Sequence, residues 1–238
     1  MLIESSRLGA RTILDRSAWF DTTSTAIPFT FTTELLSAMI GPNEIARRLI
    51  ASYRQFTDSL EPVHLESYFD PVAVDVLPRP WMVTDQSFRV ALFDWPQLQY
   101  FTDPEEAQSA QAHLRRTRLY ESIHCRNESE WQVQVARAMQ AVIGHTVMVS
   151  AYQSTTRDQA LPRHVDAWFN QVLQLEGTKR WTFDSDIVVM NPGDLLVVPT
   201  GAAHEVRAES DSLHVSFEVV DQAVVDGYLT TTTDSPPT

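Results

Sequence analysis

The sequence predicts a mainly β protein, a small barrel or sandwich of the jelly-roll kind preceded by a helical and strand annex. Three observations carry that prediction. Downstream of Gly144, short β-branched and aromatic runs follow one another at close spacing, separated by Gly, Pro, Asp or Asn turns. Upstream, helix-like segments alternate with aromatic, proline-punctuated stretches. The two textures meet at a helix ended by Gly144. We therefore divide the chain into an annex at 1–128 that packs on the barrel and could cover its site, a barrel at 129–222, and a frayed tail at 223–238.

The elements follow in order. Thr33-Glu34-Leu35-Leu36 opens one helix, and Asn43 caps a second that runs through Ile45, Ala46 and Leu49. Phe88 to Phe93 reads as a strand, and Asp103-Pro104-Glu105-Glu106 is a helix start with acids at the positive end of the dipole. From Ser129, the residues Trp131, Val135, Ala138 and Val142 mark one buried helical stripe. Strands are expected at Thr146–Tyr152, Ala167–Leu175, Arg180–Phe183, Ile187–Met190, Leu195–Val198 and Leu213–Val219.

Composition excludes several functions. The 238 residues carry 31 acidic and 18 basic side chains, a net charge of −13, and no basic stripe to hold a phosphate backbone. From Asp184 to the end, ten carboxylates stand against Arg207 alone. This is read as a solvated surface, with a preference for a cationic substrate as the other possibility. No apolar run approaches the roughly 20 residues that span a bilayer. The first residues lack the basic stretch and apolar core of a signal peptide, so a soluble, cytoplasmic protein is expected. Cys125 is the only cysteine, which excludes an internal disulfide framework and a multi-thiolate metal site.

The chemistry concentrates in Pro162-Arg163-His164-Val165-Asp166. Alternate residues of an extended strand share a side, so His164 and Asp166 can face one cavity. His204, delivered by the turn Pro199-Thr200-Gly201, is the expected third metal ligand. Two histidines and one carboxylate with open positions suit Fe(II) and O2, although zinc takes the same atoms. The turn Asn191-Pro192-Gly193-Asp194 is read as structural, and His64, His113, His124, His145 and His214 as packed or hydrogen-bonded. Trp168, Trp181 and Phe183 are read as core, and Arg163 as equally suited to a substrate carboxylate or to solvent. The aromatic stretches at 78–82 and 93–96 are read as annex filler, with a pocket cover as the alternative.

His164-x-Asp166, Gln174 to Trp181, Pro192-Gly193-Asp194 and Pro199-x-Gly201-x-x-His204 together resemble the JmjC family of 2-oxoglutarate-dependent oxygenases, in its hydroxylase branch. The likeness covers about residues 146 to 220, and the first 120 residues match no motif. It implies a distorted double-stranded β-helix, or cupin-like barrel, in which His164, Asp166 and His204 hold Fe(II). It also implies that Lys179, fifteen residues after His164, anchors the distal carboxylate of the cosubstrate 2-oxoglutarate. By alternation, Arg180 then points outward. Asn170 would touch the iron-bound carboxylate, and Tyr152 and Ser154 would offer hydroxyls to the distal one. Many relatives place an arginine about ten residues after the last histidine; here that position is His214.

The implied activity is hydroxylation of an unactivated C–H bond, with succinate and CO2 as coproducts. The short stretch after the barrel favours an amino acid, peptide or specialised metabolite as substrate. A ribosomal-protein-like hydroxylase or demethylase of the same chemistry is the alternative. Beyond these stand a metal-dependent cupin enzyme without 2-oxoglutarate and a degenerate binding barrel. No nucleic acid or membrane partner is expected.

Overall fold

The structure, a computed structural model, describes residues 40–79, 88–94, 97–101, 109–110, 118–122, 130–158 and 160–220. Its elements are α1 (Pro42–Phe56), β1 (Val63–Leu65), α2 (Pro71–Asp75), β2 (Phe88–Asp94), β3 (Gln97–Phe101), β4 (Arg118–Ser122) and α3 (Trp131–Ile143). The barrel strands follow: β5 (Thr146–Ser154), β6 (Leu161–His164), β7 (Phe169–Glu176), β8 (Lys179–Thr182), β9 (Ile187–Met190), β10 (Leu195–Val198), β11 (His204–Ala208) and β12 (Ser212–Val220).

They form two antiparallel sheets. The larger has the order β1-β10-β7-β12-β5-β4-β2-β3, the smaller β6-β11-β8-β9. From β5 to β12 the chain crosses between the sheets at every step but one, the hairpin β8–β9 within the small sheet, so that β5, β7, β10 and β12 face β6, β8, β9 and β11. This is the double-stranded β-helix expected above. Strands β1 to β4, from the region read as annex, join the large sheet by ordinary register pairing; β1 adds to β10 and β4 to β5.

Strand alternation divides the large sheet into two environments. On its outer face Leu213, Val215, Phe217 and Val219 of β12 join Leu173, Val149 and Val197 against Ile45 and Leu49 of α1 and Trp131, Val135 and Met139 of α3. Between the sheets lies a second, smaller apolar cluster of Val172, Trp181, Phe183, Val188, Met190, Leu196, Val198 and Val206. Polar side chains fill the rest of that interior.

Two local readings change. Helix α1 takes Gly41 as its N-cap, with Pro42 in the first turn and no side-chain cap bond, so Asn43 lies inside the helix. Pro42 fixes a helical φ without needing an N–H partner, which moves the cap two residues earlier. In α3 the buried stripe runs through Trp131, Val135 and Met139, whereas Val142 is 50% exposed. The buried face also takes in Gln132 and Ala136, so its centre is rotated toward Met139 and away from Val142. Gly144 ends the helix in the left-handed region, as expected. The readings at Thr33–Leu36, Asp103–Glu106, Cys125, His113, His124 and the tail lie outside the described residues. No described helix is long and apolar enough to cross a membrane.

Candidate metal and dicarboxylate site

The metal-ligand candidates converge because two elements end together. His164 closes β6 and His204 opens β11, and their Cα atoms pair directly across the small sheet. Their rings stand 4.3 Å apart, centroid to centroid. Asp166 follows in the loop to β7, and the Gly201 N–H donates to its main-chain oxygen at 2.9 Å. That bond ties the turn before His204 to the loop carrying Asp166. Gly201 has φ +80°, a conformation costly for other residues, so the backbone of this turn calls for glycine.

The donor atoms are preset. Nδ1 of His164 lies 2.7 Å from the Pro162 carbonyl, and Nδ1 of His204 lies 2.9 Å from that of Ala202. A carbonyl only accepts, so both rings carry a proton on Nδ1, and the neutral form of each presents a bare Nε2. Burial holds His204 below the usual imidazole range, with Asp166 opposing it, which keeps the ring neutral. Asp166 Oδ1 is 4.0 Å from Nε2 of His164, and Oδ2 is 3.7 Å from Nε2 of His204. These gaps are too long for hydrogen bonds. The three residues offer ligand atoms all within 4.8 Å of one another. Two imidazoles and a carboxylate, oriented but not bonded together, fit a divalent transition-metal ion.

Farther along the barrel lies the buried cation. Lys179 is 1% exposed, while its neighbour Arg180 is half-buried and pairs with Glu209 at 2.6 Å, the inward and outward facings expected. Nζ of Lys179 donates to the Tyr152 main-chain oxygen at 3.0 Å and lies 2.9 Å from Nδ1 of His214. Burial pushes the Lys179 ammonium down to about 7, with Asp158 pulling slightly upward. Trp181 stands between the two ends of the cavity. Its ring centroid is 5.2 Å from that of His204 and 5.7 Å from that of His214.

The remaining candidates line the same interior. Asn170 is buried on β7, opposite Val198 and Glu218 in register. Tyr152 pairs with His214 across β5 and β12, and their rings stack at 4.8 Å. Tyr152 thus contributes a carbonyl and a ring face to the Lys179 pocket. Ser154 is buried on the same side, and its main-chain oxygen accepts from Ser212 Oγ at 3.5 Å. Ser150 Oγ, Asn170 Oδ1 and Trp181 Nε1 have no hydrogen-bond partner among the described residues. Each such atom costs about 1–3 kcal/mol when left dry, so this interior is built to receive polar atoms.

Other expectations resolve as follows. Arg163 turns outward and pairs with Asp184. Trp168 packs in the large core. Phe183 stacks on Trp181 and stands 6.0 Å from the His204 ring. Asp194 is structural: it accepts from the Ser67 N–H at 2.7 Å and the Asn191 N–H at 2.8 Å, and lies 3.1 Å from Nε2 of His64. Arg79, within a stretch read as filler, is buried against Glu176 and the carbonyls of Val74, Asp75 and Leu77. Glu218, 1% exposed on the inner face, escaped the sequence reading. The even-numbered positions His214, Ser216 and Glu218 alternating with apolar ones were the available signal.

Comparison with known domain families finds a match to the JmjC domain over residues 119–188 and 182–226. The chain carries a JmjC domain. Ribosomal oxygenase 2 of Rattus norvegicus is 29% identical over 105 residues, 35% of this chain and 22% of that protein. Its counterpart in Mus musculus is 28% identical over 111 residues, 37% and 23% of the two chains. The chain therefore spans less than a quarter of these relatives' length. Among solved structures, the Escherichia coli ribosomal oxygenase YcfD, in complex with cobalt and 2-oxoglutarate, aligns with a TM-score of 0.53 at 16% identity. The alignment covers 79% of this chain and 60% of YcfD. A complex of YcfD with cobalt and succinic acid aligns with a TM-score of 0.51. That likeness shows the cupin-like fold, and the JmjC match bears out the family read from the motif.

Proposed function

We propose that this chain is an Fe(II)- and 2-oxoglutarate-dependent oxygenase that hydroxylates a side chain of a protein substrate. One observation carries the reading: three preset metal-ligand atoms lie at one end of a barrel whose other end holds a buried lysine. A 2-oxoacid with a distal carboxylate is the ligand that needs both.

His164, Asp166 and His204 would hold the ion, and when bound it would supply the oxidation of 2-oxoglutarate to succinate and CO2 that is coupled to C–H hydroxylation. The chain's own residues do the remaining work. The Pro162 and Ala202 carbonyls keep the imidazoles in one tautomer. Lys179 neutralises the distal carboxylate, and Asn170 supplies an uncharged hydrogen-bonding group beside the metal end. Trp181 and Phe183 wall off water from His204 and keep the interior at low dielectric.

The relatives are named ribosomal oxygenases, which supports a protein substrate over a free amino acid or a metabolite. The test has two stages. Anaerobic addition of Fe(II) and 2-oxoglutarate should give a visible charge-transfer band that is lost in His164→Ala. Aerobic incubation with ribosomal proteins should then add the mass of one oxygen to a peptide. A flat spectrum with the native protein would sink the oxygenase reading. Succinate formation stimulated by free amino acids alone would return the substrate to the small-molecule class.

A further inference from the structure

His214 occupies the position where an arginine would double the positive charge of the dicarboxylate pocket, and the structure gives it a different task. An ammonium has no lone pair, so when Lys179 is charged, Nδ1 of His214 must accept, which leaves the ring proton on Nε2. That Nε2 makes no hydrogen bond among the described residues. The ring is fixed by stacking on Tyr152 and by Trp181 on its other side. Lys179 spends two donors on Tyr152 and His214 and keeps a third. Two cations cannot both stay charged this close in a dry interior: burial and then Lys179 hold His214 well below its usual range. The other charged group acting on Lys179 is Asp158, in the loop after β5; the register neighbours Met190 and Ala208 carry none.

Resting on the oxygenase reading, we propose that Lys179 and His214 form a single proton-sharing anchor, and that entry of a ligand's distal carboxylate draws one proton from solvent into it. The carboxylate favours the charged ammonium, which in turn needs His214 neutral as acceptor. In the empty pocket Lys179 titrates at about 7, so the proton is already present in acid and must be taken up in alkali. Dicarboxylate affinity therefore falls above neutrality, approaching about tenfold per pH unit.

Calorimetry on Mn(II)-loaded protein without oxygen tests this, using two buffers of different ionisation enthalpy. The ligands are 2-oxoglutarate and 2-oxovalerate, which has the same carbon skeleton with a methyl in place of the distal carboxylate. Protons exchanged at the metal end are common to both ligands, so their difference reports the anchor. The difference should approach about one proton at pH 8.5 and vanish near pH 6. Lys179→Arg, permanently charged, should abolish it. His214→Phe should weaken 2-oxoglutarate by about tenfold while sparing 2-oxovalerate, and His214→Gln, whose amide oxygen accepts, should restore most of the loss. Equal proton counts for the two ligands in the native protein overturn the inference alone, as does an undiminished dicarboxylate preference in His214→Phe. Binding of neither ligand overturns the oxygenase reading and this inference with it.

Discussion

The two faces of β12 are nine residues of one strand put to opposite uses. Leu213, Val215, Phe217 and Val219 point outward into the core shared with α1 and α3. Ser212, His214, Ser216 and Glu218 point inward and are almost as thoroughly buried. Burial is therefore not what separates them. The outer face is close-packed hydrocarbon, whose removal from water drives folding. The inner face holds dehydrated polar groups, which oppose folding unless fully paired. Such an interior is the cost of a site that must be dry and polar together.

The sharpest break in that comparison comes from the outer face. Phe217→Ala should destabilise the protein by about 3–5 kcal/mol, because it opens a cavity under Trp131, whose ring stands 6.2 Å away. Denaturant titration would measure it. The fraction still folded should bind metal normally, and a proportionate loss of metal affinity would show that the two faces are not separable.

The inner face should respond with the opposite sign. Lys179→Met removes an ammonium whose pKa lies far lower in the folded chain than in the unfolded one. Between about pH 7 and the ordinary lysine range the unfolded chain binds more protons, so native stability rises with pH there. The penalty for burying Lys179 is thus fully present below about pH 7 and fades toward pH 10. Lys179→Met should gain on the order of 2 kcal/mol near pH 7 while losing 2-oxoglutarate binding, and the gain should shrink at pH 9.5. A variant less stable than the native protein at pH 7 would mean that the contacts to Tyr152 and His214 outweigh desolvation.

Legibility followed the same division. The outer face obeys simple alternation, and six of the eight strands from β5 onward were found close to their bounds, while β6 and β11, which carry the two histidines, were given none. Among the ligand candidates His204 was legible from turn chemistry, since Pro199 and Gly201 make a turn that His204 follows. His164 and Asp166 were read from alternation along one strand, whereas β6 ends at His164 and the following loop brings Asp166 to it. The inward facing of Lys179 was implied by the family resemblance, and strand parity then turned Arg180 outward. What stayed hidden depends on contacts distant in sequence. Nothing local to His214 shows that Lys179, thirty-five residues earlier, will lie 2.9 Å from it. Glu218 looked like an ordinary strand residue for the same reason. The short strand β1 carries three residues, too few to show a period, and exists because β10 offers it an edge.

Two smaller effects sharpen the contrast between buried and surface polarity. Asn170→Ala removes an amide whose Oδ1 has no partner among the described residues, so stability should change by less than about 1 kcal/mol while 2-oxoglutarate binding weakens by about tenfold. Equal losses in both would make Asn170 structural instead. Arg180→Ala, one residue from the buried lysine, breaks only the partly exposed pair with Glu209. Long side chains near the surface lose as much in conformational freedom as they gain from the ion pair, so the change should stay within about 0.5 kcal/mol. Thermal unfolding at low and high salt would check it, since screening weakens the pair further. Should Arg180→Ala instead reduce 2-oxoglutarate affinity as Lys179→Met does, strand parity would no longer separate the anchor from its neighbour, and the positive charge of the pocket would have to be reassigned to both.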